Sequence, residues 1–177
     1  MAGRRGARQA NFWKTGVPKP RTTRARRTGI LNRMSLYADS SFVVSCYLTD
    51  ANTPQAKIYL SKVTAPLTLT ALQFLEVRNG IKLGVFRQLY STTDATAAWA
   101  NLEKDLRSGR LVKQEPKWLV AFRVASALGN RHSATIGTRS LDVLHVATAK
   151  CLRVTEFISF DSQQRTLATT VGLKVGP

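Results

Sequence analysis

The chain has 177 residues, 44% of them hydrophobic, and carries 27 Lys and Arg against 10 Asp and Glu for a net charge of +17. That length suffices for one domain with a proper core and a tail, and no apolar run approaches the roughly 20 residues that a membrane span requires. A field of this sign attracts polyanions, of which nucleic acid is the commonest in a cytoplasm.

The charge is uneven. Residues 1–33 hold ten of the basic residues and no acid, so residues 34–177 carry 17 basic against ten acidic residues, or +7. The first segment mixes Gly, Pro, Thr and Arg without helical or strand period, and it cannot bury enough apolar surface to offset its ordering entropy. It lacks the apolar stretch of a secretory signal. Two readings stand: a disordered arm that neutralises phosphates, or a mis-assigned start, with Met34 opening the natural product.

From Ser35 onward short apolar strands alternate with helical stretches, the pattern of an α/β domain around a parallel sheet. LYA (36–38) reads as a strand running into Asp39, and 40–48 as a helix capped by Ser40 or Ser41. A helix over 53–63 precedes a strand at 66–69 and a helix over 70–84. A long helix at 92–109 stops at a glycine, and LVKQ (111–114) is a short strand. An amphipathic helix is expected over 116–132, with Pro116 in its first turn and His132 in a loop after it. SLDVLHVATAKCL (140–152) is apolar on more than one side and so reads as a buried helix. FISF (157–160), a helix at 162–172 and a strand at 173–175 complete one domain without internal repeats.

Four of the ten acids stand where carboxylates are awkward. Asp39 and Asp161 directly follow strands, at the carboxyl ends where open α/β sheets place their crevices. Glu76 interrupts an apolar helix, and Asp142 lies near the start of another. Four acids directed at one crevice repel each other and are costly to bury without a cation. All-oxygen ligation favours Mg²⁺, with Mn²⁺ as the substitute, over zinc. Against this stand blander roles: helix capping for the three aspartates, and a Lys or Arg ion pair for Glu76. Cys46 and Cys151 sit singly, without CxxC spacing, and read as small buried residues rather than a disulfide or zinc pair.

The blocks YADSSFVVSCYL, TALQFLEVRNGI, RSLDVLHVATA and FISFDSQQRTLATTVGLKV resemble the PIN-domain ribonucleases, within them the VapC-type toxins of toxin–antitoxin pairs. The resemblance spans essentially all of 34–177, whereas residues 1–33 depart from it, which favours Met34 as the start. It implies a three-layer α/β/α sandwich with a mostly parallel sheet, and Mg²⁺-dependent hydrolysis of RNA. The family's acids match Asp39, Glu76, Asp142 and Asp161, all four taken as metal ligands and catalytic residues. Ser159 matches its small hydroxyl residue. The resemblance also implies a cytoplasmic homodimer and a cognate antitoxin.

Asp39, Asp142 and Asp161 are then expected to be the closest metal ligands, with Glu76 a ligand or the orienter of a water. Arg78, Lys82, Arg87 and Arg139 are candidate phosphate contacts. His145, three residues after Asp142, reads either as a packed helix residue or as a partner to a ligand carboxylate. Trp99, Trp118 and Phe122 read as packing residues before base-stacking ones. A non-catalytic nucleic-acid-binding module and a Mg²⁺-dependent phosphohydrolase of a small substrate are the competing functions. The second lacks a G-x-x-x-x-G-K phosphate loop.

Overall fold

The computed structural model describes residues 35–177. Both readings of residues 1–33 concern chain outside the described residues. In order, the elements are β1 (Leu36–Ala38), α1 (Ser40–Tyr47), α2 (Thr53–Leu60), β2 (Leu67–Leu69), α3 (Ala71–Phe86) and α4 (Thr92–Ser108). They continue with β3 (Leu111–Lys113), α5 (Trp118–Ile136), α6 (Ser140–Leu152), β4 (Glu156–Ile158), α7 (Ser162–Thr170) and β5 (Val175–Gly176).

The five strands form one sheet in the order β3-β2-β1-β4-β5, and every pairing is parallel. The central strands are buried along their whole length, as strands covered on both faces must be. Side chains along a strand alternate between faces, and the two cores divide accordingly. Leu36, Ala38 and Ile158 join one core with Phe42, Val77, Ala98 and Leu102 from α1, α3 and α4. Tyr37 and Phe157 join the other with Val143, Val146, Ala149 and Leu167 from α6 and α7. The molecule is thus an α/β/α sandwich with a five-stranded parallel sheet: the alternation of elements predicts the α/β domain with a parallel sheet, and the resemblance implies its three layers.

Tyr37 pairs with Phe157 in the β1–β4 register, and their rings stack 6.0 Å apart at 13°. Gln73, fully buried at the start of α3, donates its side-chain amide to the carbonyls of Ala38 and Thr68. It thereby ties the ends of β1 and β2 together while closing a capping box with Thr70. After β1 the chain turns to one face and after β4 to the other, and this reversal opens a crevice beyond the carboxyl ends of these two strands.

Several boundaries differ from expectation. Pro116 lies outside α5, which begins at Trp118 with Lys117 as N-cap. That helix runs through His132 to Ile136 and ends at Gly137, whose φ of 80° suits glycine. His132 is therefore helical. β4 ends at Ile158, so Ser159 and Phe160 separate it from Asp161. The last strand is Val175–Gly176 rather than 173–175. Cys46 is buried and Cys151 half-buried, and both are free thiols. No helix among the described residues is long and apolar enough to cross a membrane.

Candidate active site

A cleft of about 490 Å³ opens at the β1–β4 switch point and brings Asp39, Glu76, Asp142 and Asp161 into one lining. Residues separated by up to 125 positions, Asp39 and Gln164, share it because strand ends and helix starts converge there.

Asp39 forms the floor and is only 2% exposed. Its backbone N–H donates to the Ile158 carbonyl at 2.9 Å, which continues the β1–β4 ladder. Its side chain caps α1 by accepting from Phe42 N at 2.7 Å, so the cap is Asp39 and not Ser40 or Ser41. Ser41 Oγ adds a bond to Oδ1 at 3.0 Å, and Ser159 Oγ reaches Oδ2 at 2.6 Å. The same Ser159 hydroxyl accepts from Asp161 N at 3.0 Å, linking both ends of the crevice. Burial pushes the Asp39 carboxyl above its ordinary range, and the bonds from Ser159 and Phe42 only partly offset it.

Glu76 projects from α3 and is half-buried. Its Oε2 accepts from Ser40 Oγ at 2.7 Å and from His145 Nε2 at 2.9 Å. Burial acts to raise its carboxyl, but the hydrogen bond and charge of His145 prevail and hold it below the ordinary value. The expected Lys or Arg partner is replaced by a histidine.

Asp142 and Asp161 form the outer edge, each half-buried at a helix start. Asp142 Oδ2 accepts from Arg139 N at 2.8 Å, and Oδ1 accepts from Gln164 Nε2 at 3.0 Å. Asp161 caps α7 by accepting from Gln164 N at 2.8 Å. Capping, set against ligation in the sequence, is thus present at all three aspartates. It leaves acceptor capacity, because a carboxylate offers about four lone-pair directions.

Among the described residues, Asp39, Asp142 and Asp161 form no ion pair. Three carboxylates therefore share a cleft with no side-chain ion pair of their own, although Arg139 stands in the same lining. The oxygen-only donor set and the upward shift of buried Asp39 fit a hard divalent cation. As the side chains stand, however, no three Asp, Glu, His or Cys among the described residues are gathered tightly enough to grip one ion. Each carboxylate is drawn to its own protein donor, and a cation has to compete with those donors.

Of the four candidate phosphate contacts, only Arg139 lines the cleft. Arg78 lies over the Trp99 ring at 5.4 Å, and Arg87 ends α3. Trp99 packs edge-on against Phe74 at 4.9 Å, a packing role. Trp118 binds Glu115 through Nε1, and Phe122 is exposed.

Sequence reasoning missed Gln164, which is buried, joins Asp142 to Asp161, and keeps its Oε1 buried without a partner among the described residues. It also missed Arg165, whose Nη1 donates to the carbonyls of Ser159 and Gly176 and so braces the ends of β4 and β5. The three-residue offset from Asp161 that marks a cap partner is the one sequence signal for Gln164.

No protein-family profile matches this chain, and no curated protein does. Among solved structures, it is similar to the crystal structure of FitAcB from Neisseria gonorrhoeae, with a TM-score of 0.53 and 17% identity over 80% of this chain and 96% of that one. A likeness at that identity concerns the fold.

Proposed function

We propose that this chain is a metal-dependent endoribonuclease acting as the toxin of a toxin–antitoxin pair, with Asp39, Glu76, Asp142 and Asp161 as its metal-binding and catalytic carboxylates. The observation that carries the reading is the cleft that three aspartates line without forming an ion pair, floored by a carboxylate that burial penalises. Mg²⁺, or Mn²⁺ in its place, supplies the missing positive charge and Lewis acidity toward water and phosphate. Asp39, Asp142 and Asp161 hold it. Glu76 ligates or orients the attacking water, and Ser159 keeps Asp39 facing the cleft. Arg139 at the rim draws a phosphate of the strand toward the acids. None of this chemistry needs a 2′-hydroxyl, so preference for RNA over DNA comes from the walls of the groove.

The toxin role rests on the resemblance of DVLHVATA and the strand-Asp-helix-GLKV ending to VapC-type toxins. It implies an antitoxin segment that lodges in the cleft, an arginine there being the natural counter-ion to the acids, and pairing of two copies in a cytoplasmic homodimer. A second reading, a non-catalytic nucleic-acid-binding module, draws on the engagement of every carboxylate by a cap or side-chain donor. A structured RNA panel incubated with the full chain, with Mg²⁺ or with chelator, beside Asp39→Asn, separates the two. The nuclease reading predicts Mg²⁺-dependent products that vanish in the variant. Salt-sensitive binding without products supports the module instead.

A further inference from the structure

His145 is 3% exposed, sits within the buried run Val143–Ala149 of α6, and has both ring nitrogens engaged. Nε2 meets Glu76 Oε2 at 2.9 Å, and Nδ1 meets the hydroxyl of Tyr37 at 2.8 Å. Tyr37 has no exposed surface and is clamped in β1 by its stack on Phe157. A continuous polar chain therefore runs from the sheet interior through α6 to a carboxylate in the cleft, joining residues 108 apart in sequence.

The direction of the bonds follows from what each group can donate. Ionised Glu76 only accepts, and it already takes the proton of Ser40, so Nε2 carries a hydrogen toward it. In the neutral ring Nδ1 is then the acceptor, and the Tyr37 hydroxyl is the donor that fills it. Mere adhesion of α6 to α3 does not call for this arrangement. Apolar side chains of similar volume hold packed elements at least as well as a buried polar pair. The chain makes sense at its outer end. It fixes Oε2 of Glu76 and leaves Oε1, which accepts no hydrogen bond among the described residues, for the cleft.

We propose that His145, oriented by Tyr37, is a positioning residue that holds the Glu76 carboxylate in the orientation from which it serves the metal. This rests on the metal-site reading above. Histidines and carboxylates oriented this way behind a metal typically change its affinity by about 10- to 100-fold when the support is removed.

The test measures Mn²⁺ binding to the full-length chain by calorimetry in wild type, His145→Leu, His145→Gln and Tyr37→Phe. A ¹⁵N–¹H correlation spectrum of wild type assigns the His145 tautomer. His145→Leu is expected to weaken Mn²⁺ binding about 10- to 100-fold, whereas His145→Gln, with a donor near the Nε2 position, recovers most of it. Tyr37→Phe, which keeps the ring packing, falls between them. The spectrum is expected to show hydrogen on Nε2. Equal Mn²⁺ affinity in folded Leu and wild-type proteins, or equal losses in Leu and Gln, overturns the positioning role while leaving the metal site intact. A hydrogen on Nδ1 alone, with Nε2 bare, also overturns it. Should His145→Leu not fold, the tautomer and Tyr37→Phe decide. Absence of any Mn²⁺ binding in wild type overturns the metal reading itself, and the positioning role with it.

Discussion

The inner and outer walls of the cleft hold their carboxylates by different means. On the inner wall Asp39 also caps α1, but it and Glu76 are in addition fixed by buried or half-buried donors, Ser159, Ser40 and His145, drawn from other elements. On the outer wall, Asp142 and Asp161 sit at the starts of α6 and α7, where cap N–H groups and the positive end of the helix favour an acid. The inner pair is set by the global fold and perturbed in opposite directions, Asp39 upward by burial and Glu76 downward through His145. The outer pair is set locally, with Gln164 as its cross-link. A buried floor facing a half-buried edge suits the proposed binding of an ion and an RNA strand.

The sharpest way to break this comparison is to neutralise one acid of each wall. Asp39→Asn is expected to cut RNA cleavage by at least about a hundredfold, close to 3 kcal/mol of transition-state stabilisation. Because it removes a poorly compensated buried charge and leaves Oδ1 to cap α1, the variant should unfold at an unchanged or higher temperature near neutral pH. Activity retained in a folded Asp39→Asn protein contradicts the assignment of the floor.

Next in size are the supports of the two walls. Ser159→Ala strips the 2.6 Å donor from buried Asp39 and the acceptor from Asp161 N. It should lower stability in urea by about 1.5–3 kcal/mol, the range for hydrogen bonds to a charged group. Gln164→Ala leaves both helix starts in place and should cost less stability, while reducing metal-dependent cleavage by about tenfold. A reversal of these two stabilities puts the fixed wall on the wrong side.

The smallest effect is in pH dependence, read on metal-free protein. A carboxyl raised in the folded state binds more protons there than in the unfolded chain, so Asp39 contributes stability at low pH that is lost as pH rises through its folded pKa. Glu76 is lowered, so its contribution is present above the ordinary carboxylate value and is lost as pH falls through its folded pKa. Asp39→Asn should therefore flatten the loss on the rising side and Glu76→Gln the loss on the falling side. Urea unfolding across the acidic range checks both, and matching profiles for the two variants remove the distinction between these acids.

Much of this was legible in the sequence where the cause is local. The strand LYA, the buried helix at 140–152 and the stop at Gly109 follow from apolar runs and from a glycine with φ of 79°. The four acids stood out because each interrupts an apolar context. What was hidden depends on distant partners. Tyr37 is an ordinary buried strand residue until His145 arrives from 108 positions away, and Gln164 is an ordinary polar helix residue until Asp142 faces it. The end of α5 was placed too early, at 132, whereas packing of α5 along α6 carries the helix on to Ile136, with Gly137 as its cap. Arg78 looked like a phosphate contact from its nearness to Glu76 in sequence. Two residues along a helix is about 200° around it, and Arg78 faces Trp99 instead.

The central claim is that the aspartates of both walls close on one divalent ion. The most direct measurement is anomalous diffraction from crystals of the protein soaked in Mn²⁺. The account predicts a peak in the cleft within ligand distance of Asp39, Asp142 and Asp161, with Asp142 turned from Gln164 toward it. A cleft without a peak, its carboxylates still bound to their caps in crystals that take up Mn²⁺ elsewhere, would contradict it.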